Sequence, residues 1–102
     1  MSLTSRQKKQ FRQIAHHLDA IVTLADHPIS DGVLQETERA LTDHELIKVK
    51  LSLLDRADRQ SAGDELAQAC AAEVVQRIGK MIILYRNNPK AEARLSNVAR
   101  YS

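Results

Sequence analysis

The chain has no tryptophan, one phenylalanine and two tyrosines, so its core has to be built from aliphatic side chains rather than rings. Three glycines and two prolines exclude a collagen-like or low-complexity sequence. The one cysteine, Cys70, has no partner for an internal disulfide, which points to a reducing cytoplasm. No stretch approaches the roughly 20 apolar residues that cross a bilayer, and the first residues lack a secretory signal pattern, so no membrane association is expected. What is there is 102 residues, 43% hydrophobic and 27% charged, the composition of one globular domain burying roughly two-thirds of its unfolded surface.

Catalytic and metal chemistry have little to work with. His16 and His17 are adjacent and would point about 100° apart on a helix, and no helix carries histidines at i and i+4. No nucleophile motif or phosphate-binding glycine loop occurs, and Cys70 sits among alanines as a small core residue. Neither an enzyme, a metal site nor a cofactor is expected.

Charge is more informative in its distribution than in its sum of +2. The first 18 residues carry four basic groups and no acid, Asp19 to Glu45 carries seven acids against Arg39 alone, and Leu46 onward carries ten basic groups against six acids. A chain segregated in this way can present two surfaces of opposite sign, of which one attracts a polyanion.

The most legible stretch is Leu46 to Leu53. Ile47, Val49, Leu51 and Leu53 alternate with Lys48, Lys50 and Ser52, the period-2 pattern of a strand with one face in a core and a basic face in water. Before it, Thr4 and Gln7 form a capping box for a first helix with Phe11, Ile14, Ala15 and Leu18 on an apolar stripe. Lys8, Lys9, Arg12 and His16 make a basic stripe beside it. Basic residues in a helix's first turns oppose the macrodipole, so local stability gives no reason for them. Ile21 to Leu24 reads as a strand, and Ser30 caps a second helix whose inward side is Val33, Leu34, Thr37, Ala40 and Leu41. A third helix starts between Asp55 and Ser61, weakened by about 1 kcal/mol at Gly63. Two further strands flank a Gly79-Lys80 turn of type II′, with Val75 opposite Leu84 and Arg77 opposite Ile82.

The expected fold is therefore a two-layer α+β domain, α-β-α-β-α-β-β, with a four-stranded mixed sheet. Three strands run parallel and the last antiparallel. The helices are expected on one face, leaving Lys48, Lys50 and Tyr85 on an open one. Residues 1–86 form the domain, and residues 87–102 a basic polar tail.

Five segments in order, LTSRQKK from Leu3, AHHL from Ala15, LIKVK from Leu46, VVQRIGK from Val74 and ILYR from Ile83, closely resemble the CRM domain family, in particular its single-domain YhbY-like proteins. The resemblance implies a fold similar to the C-terminal domain of translation initiation factor 3. It also implies RNA binding and a role in ribosome biogenesis, through association with rRNA in precursors of the large subunit. Relatives usually carry G-x-x-G between the first strand and second helix, where glycines let phosphates approach main-chain amides. Here those positions are Ala25, Asp26, His27 and Pro28. Pro28 has no amide proton and Asp26 repels a phosphate, so RNA contact is expected to shift to Lys8, Lys9, Arg12, Lys48, Lys50, Lys80 and Arg86. Relatives often have glycine where this chain has Ala71, so a different helix cap is expected there. The alternative is a protein-binding module of the same fold with weakened RNA affinity. DNA is not an expected partner, and a monomer is favoured.

Overall fold

A computed structural model describes residues 3–25, 28–52 and 55–101. Its elements are α1 (Ser5–Ala15), β1 (Ala20–Leu24), α2 (Asp31–His44), β2 (Leu46–Leu51), α3 (Arg56–Ala69), β3 (Glu73–Ile78), β4 (Met81–Tyr85) and α4 (Asn97–Tyr101). Each of the first three helices begins where a short polar side chain takes over an orphan amide. Thr4 Oγ1 accepts from Gln7 N–H at 3.1 Å while Gln7 Oε1 accepts from Thr4 N–H at 2.9 Å, completing the capping box. Ser30 Oγ accepts from Val33 N–H at 3.1 Å, and Asp55 Oδ1 from Asp58 N–H at 2.8 Å.

The sheet order is β1-β2-β4-β3. β1 and β2 are parallel, and β4 is antiparallel to both its neighbours, so three strands share a direction and β4 opposes them. Val22 and Leu24, then Ile47, Val49 and Leu51, then Ile82 and Leu84 form one apolar face beneath Leu41 of α2, Ala62 and Leu66 of α3, and Cys70 at the C-cap of α3. The alternation in β2 is as the sequence predicts, although Leu53 lies outside the described residues.

The second face departs from expectation. α1 and α4 pack there, so the helices lie on both sides of the sheet rather than one. Phe11, Ile14 and Ala15 cover Leu46, Val75 and Ile83, with Tyr85 and Val98 packed alongside. The cause lies in the strands themselves, because Leu46 and Ile83 make this face apolar and both are fully buried. A bulge contributes: Val74 pairs with Leu84 and Gln76 with Ile83, which places Val75 against α1 instead of opposite Leu84. The hairpin beyond it has the expected register, with Arg77 opposite Ile82 and Gly79 at φ +54° in the two-residue turn.

Two details of α3 explain its close seat on the sheet. A Cβ on Gly63 would stand 2.8 Å from Ile82 Cδ1, so glycine's poor helix propensity is offset by a near approach of helix to sheet. At the other end Ala72 N–H donates to Ala67 O at 2.8 Å and Ala71 N–H to Gln68 O at 3.2 Å, a Schellman cap. The cap is thus the one glycine usually makes, with Ala71 held at φ +51°. This corrects the expected change of cap, and the reason is that the hydrogen bonds tolerate the strained alanine.

After Arg86 the chain folds back. Glu45, at φ +61° and 9% exposed, accepts from Asn88 N–H at 2.7 Å and Ser96 O–H at 2.8 Å. Asn97 Nδ2 donates to Leu46 O at 2.7 Å, and His44 Nδ1 donates to Leu95 O at 2.7 Å. These bonds seat the short α4 against α1 and β2.

Candidate nucleic-acid interface

α1 and α4 cover only part of their face of the sheet. Arg12 and Ala15 of α1 and His16 at its C-cap share a shallow depression with Lys48 of β2, Gln76 and Ile78 of β3, and Ile83. Lys50 follows on the same face as Lys48, exposed, between Thr23 of β1 and Met81 of β4 in the register. The two edge strands flank these lysines with exposed isoleucines, Ile21 at 44% and Ile78 at 49%. Lys80 stands exposed at the hairpin tip, and Lys8 and Lys9 lie about one turn before Arg12 on α1.

Among the described residues none of Lys8, Lys9, Arg12, Lys48, Lys50 and Lys80 forms an ion pair. No described carboxylate stands within ion-pair distance of them, and the acid on this face, Asp19, lines a neighbouring depression with Lys48. The exposed acids Asp31 and Glu36 belong to α2, which packs on the other side of the sheet. Long cationic side chains beside an apolar platform suit a ligand with spaced negative charges.

The seventh predicted cation is placed differently. Arg86 donates to Glu38 Oε2 at 2.7 Å, Cys70 O at 2.8 Å, Thr42 Oγ1 at 3.0 Å and Glu38 O at 3.1 Å, a network within the fold and away from the lysine strip. Tyr85 is not open for stacking on a base, because its ring lies 4.7 Å from that of Phe11 under α1. Burial, with the Glu45 charge second, raises its phenol above the ordinary range. Of the loop that replaces G-x-x-G, Ala25 is half-buried and Pro28 exposed, while Asp26 and His27 lie outside the described residues. Cys70 is buried, and burial first, Glu38 second, pushes its thiol up to about 11, so it is not a thiolate at neutral pH. His17 stacks at 6.4 Å on Tyr101. No cluster of histidine, cysteine and carboxylate suited to a metal occurs among the described residues.

Gln76 lies on the face of Ile83 and Met81, as the hairpin register predicts, whereas Ile21 and Ile78 are additions to the predicted site. Both follow from alternation, Ile21 because Ile21 and Thr23 alternate with the buried Val22 and Leu24, and Ile78 because it pairs with Met81 in the register of the Gly79-Lys80 hairpin.

The fold and this face define a small α+β module with a cationic sheet surface. Residues 3–86 match the CRS1 / YhbY (CRM) domain family, and the chain belongs to it. It is 51% identical over 102 residues to a Pseudomonas aeruginosa protein named "Probable RNA-binding protein", covering 100% of this chain and 98% of that one. It is 38% identical over 94 residues to a Haemophilus influenzae "RNA-binding protein", covering 92% and 95%. The solution structure of a hypothetical Staphylococcus aureus protein superposes with a TM-score of 0.77 at 31% identity, over 89% of this chain and 95% of that one.

Proposed function

We propose that this chain binds RNA across the face where α1 meets β2, with Lys8, Lys9, Arg12, Lys48, Lys50 and Lys80 as the phosphate contacts, and that it acts on precursors of the large ribosomal subunit. The observation that carries the reading is the convergence of Arg12 with Lys48 in one depression, without a carboxylate partner, on a face α1 leaves partly open. The names of the two relatives support RNA as the ligand. The subunit precursor is the finer expectation from family resemblance. With few rings on this face, recognition rests on backbone and shape more than on base edges. Arg86 belongs to the fold's own network and is left out of the contact set.

The test is cosedimentation of the tagged protein with ribosomal particles at low and moderate salt, followed by sequencing of crosslinked RNA. Recovery with large-subunit precursors, lost as salt rises, supports the proposal. Each phosphate contact on a single strand adds about 0.7 to the slope of log affinity against log salt. Changing Lys8, Lys9 and Arg12 to Glu should abolish the association, and Lys48→Gln with Lys50→Gln should weaken it at least about tenfold. Absence of crosslinked RNA at low salt, with binding to a protein at a flat salt slope, would replace RNA by a protein partner.

A further inference from the structure

We infer that a second phosphate site lies on the opposite side of the sheet, in the arginine-lined cleft between α3 and the hairpin tip, and that an RNA strand on the lysine face continues into it round the tip. This rests on the RNA-binding reading above and extends its path. The cleft, about 440 Å³, is lined by Arg56, Arg59 and Gln60 of α3 and by Arg77 and Gly79 of the hairpin, over a floor that includes Ile82. Three guanidiniums and no carboxylate are among its lining residues. Of the nearby acids, Asp64 pairs with Arg77 and offsets the charge of that guanidinium, so the excess positive charge of the cleft comes from Arg56 and Arg59; Asp55 caps the helix, and Asp58 does not line the cleft.

The chemistry differs from that of the lysine strip. Guanidinium forks hold phosphate oxygens two at a time, here above an apolar floor of Leu51 and Ile82. Gly79, at φ +54° in the turn, adds no side chain to the rim. Continuity comes from topology. Lys50 on β2 and Arg77 on β3 are separated only by β4, about 10 Å across two strand spacings, and Lys80 occupies the turn between the two faces.

The experiment titrates a fluorescein-labelled single-stranded RNA of mixed sequence into the full chain at several salt concentrations, and follows the Gly79 amide by NMR with the same RNA and with inorganic phosphate. Arg56→Gln with Arg59→Gln should weaken RNA binding about five- to tenfold and lower the salt slope by about 1 to 1.5. Exposed Arg56→Gln alone, which disturbs the fold least, should give part of that loss. RNA should move the Gly79 resonance. Unchanged affinity and slope in the arginine variants, while Lys48→Gln with Lys50→Gln is weakened, would overturn the cleft and leave the lysine face standing. If the unmodified chain bound no RNA, both would fall. If inorganic phosphate saturated the Gly79 shift and RNA left it unmoved, the cleft would be a small-anion site and the continuous path would be wrong.

Discussion

Arg86 donates to Glu38 twice, to its carboxylate at 2.7 Å and to its main-chain carbonyl at 3.1 Å. The same guanidinium reaches Cys70 O and Thr42 Oγ1, so one side chain from the end of β4 ties α2 to the close of α3. Arg86→Ala should lower stability by about 1 to 3 kcal/mol in urea unfolding, because it removes four hydrogen bonds, three of them part-buried. Arg86→Lys should recover less than half, since an ammonium cannot make the forked contacts. RNA affinity of the folded Arg86→Lys protein should stay within about twofold of the original, which separates a structural arginine from a phosphate contact.

Ala71 occupies a left-handed conformation, φ +51°, that normally falls to glycine. Ala71→Gly should stabilise the protein by about 1 kcal/mol, the strain of the left-handed alanine less the extra freedom glycine brings to the unfolded chain. A shift of the urea midpoint to lower concentration would contradict it.

Glu45 combines strain with bonding, having φ +61° and a carboxylate that holds Asn88 and Ser96. Glu45→Ala removes the bonds and keeps the strain, and should cost about 2 to 3 kcal/mol. Glu45→Gly removes both, and should be the milder change by about 1 kcal/mol. In each variant the amide of Asn88 should exchange with deuterium faster than amides of β2. Equal loss in the two variants would mean that the backbone at Glu45 is not strained.

Cys70 gives the stability a dependence on alkaline pH. Its thiol ionises near 9.0 when exposed and near 11 in the fold, so the unfolded chain gains a thiolate first as pH rises. The associated stability is complete below pH 9 and declines as pH rises through about 11, with the raised Tyr85 phenol adding a loss of the same sign above 10. Cys70→Ala should flatten the decline in stability between pH 9 and 11. In the native protein at pH 8, thiol reagents should label Cys70 only at the rate of unfolding.

Much of this architecture is written in local patterns. The capping box at Thr4, the βαβ unit through β2 and the Gly79-Lys80 hairpin each rest on residues close together in sequence, and each formed as those residues require. The placement of α1 was not legible in the same way. It depends on whether Leu46, Ile83 and Val75 share a face, and Val75 joins them only through a bulge that the alternation of β3 does not signal. The candidate face shows the same division: Lys48 and Lys50 were visible from their period, whereas the approach of Arg12 to Lys48 follows from the path of α1 across the sheet. Arg86 reads in sequence like any other basic residue near a hairpin. Its four acceptors come from residues 16 to 48 positions away, a separation at which sequence pattern carries no signal.

The acidic helix behind the sheet also bears on kinetics. Asp31 and Glu36 sit on α2, which packs over β1 and β2 on one side of the sheet, and the unpaired lysines lie on the other. The field across that half of the sheet therefore runs from positive to negative, while the arginine cleft lies beyond it beside α3. A polyanion meeting it in solution exerts a torque that turns the lysine face inward before contact, and it repels the α2 side. Fewer collisions are then wasted on the wrong orientation. The modest net charge of +2 limits indiscriminate sticking without giving up this steering, because orientation follows from where the charges lie and not from their sum.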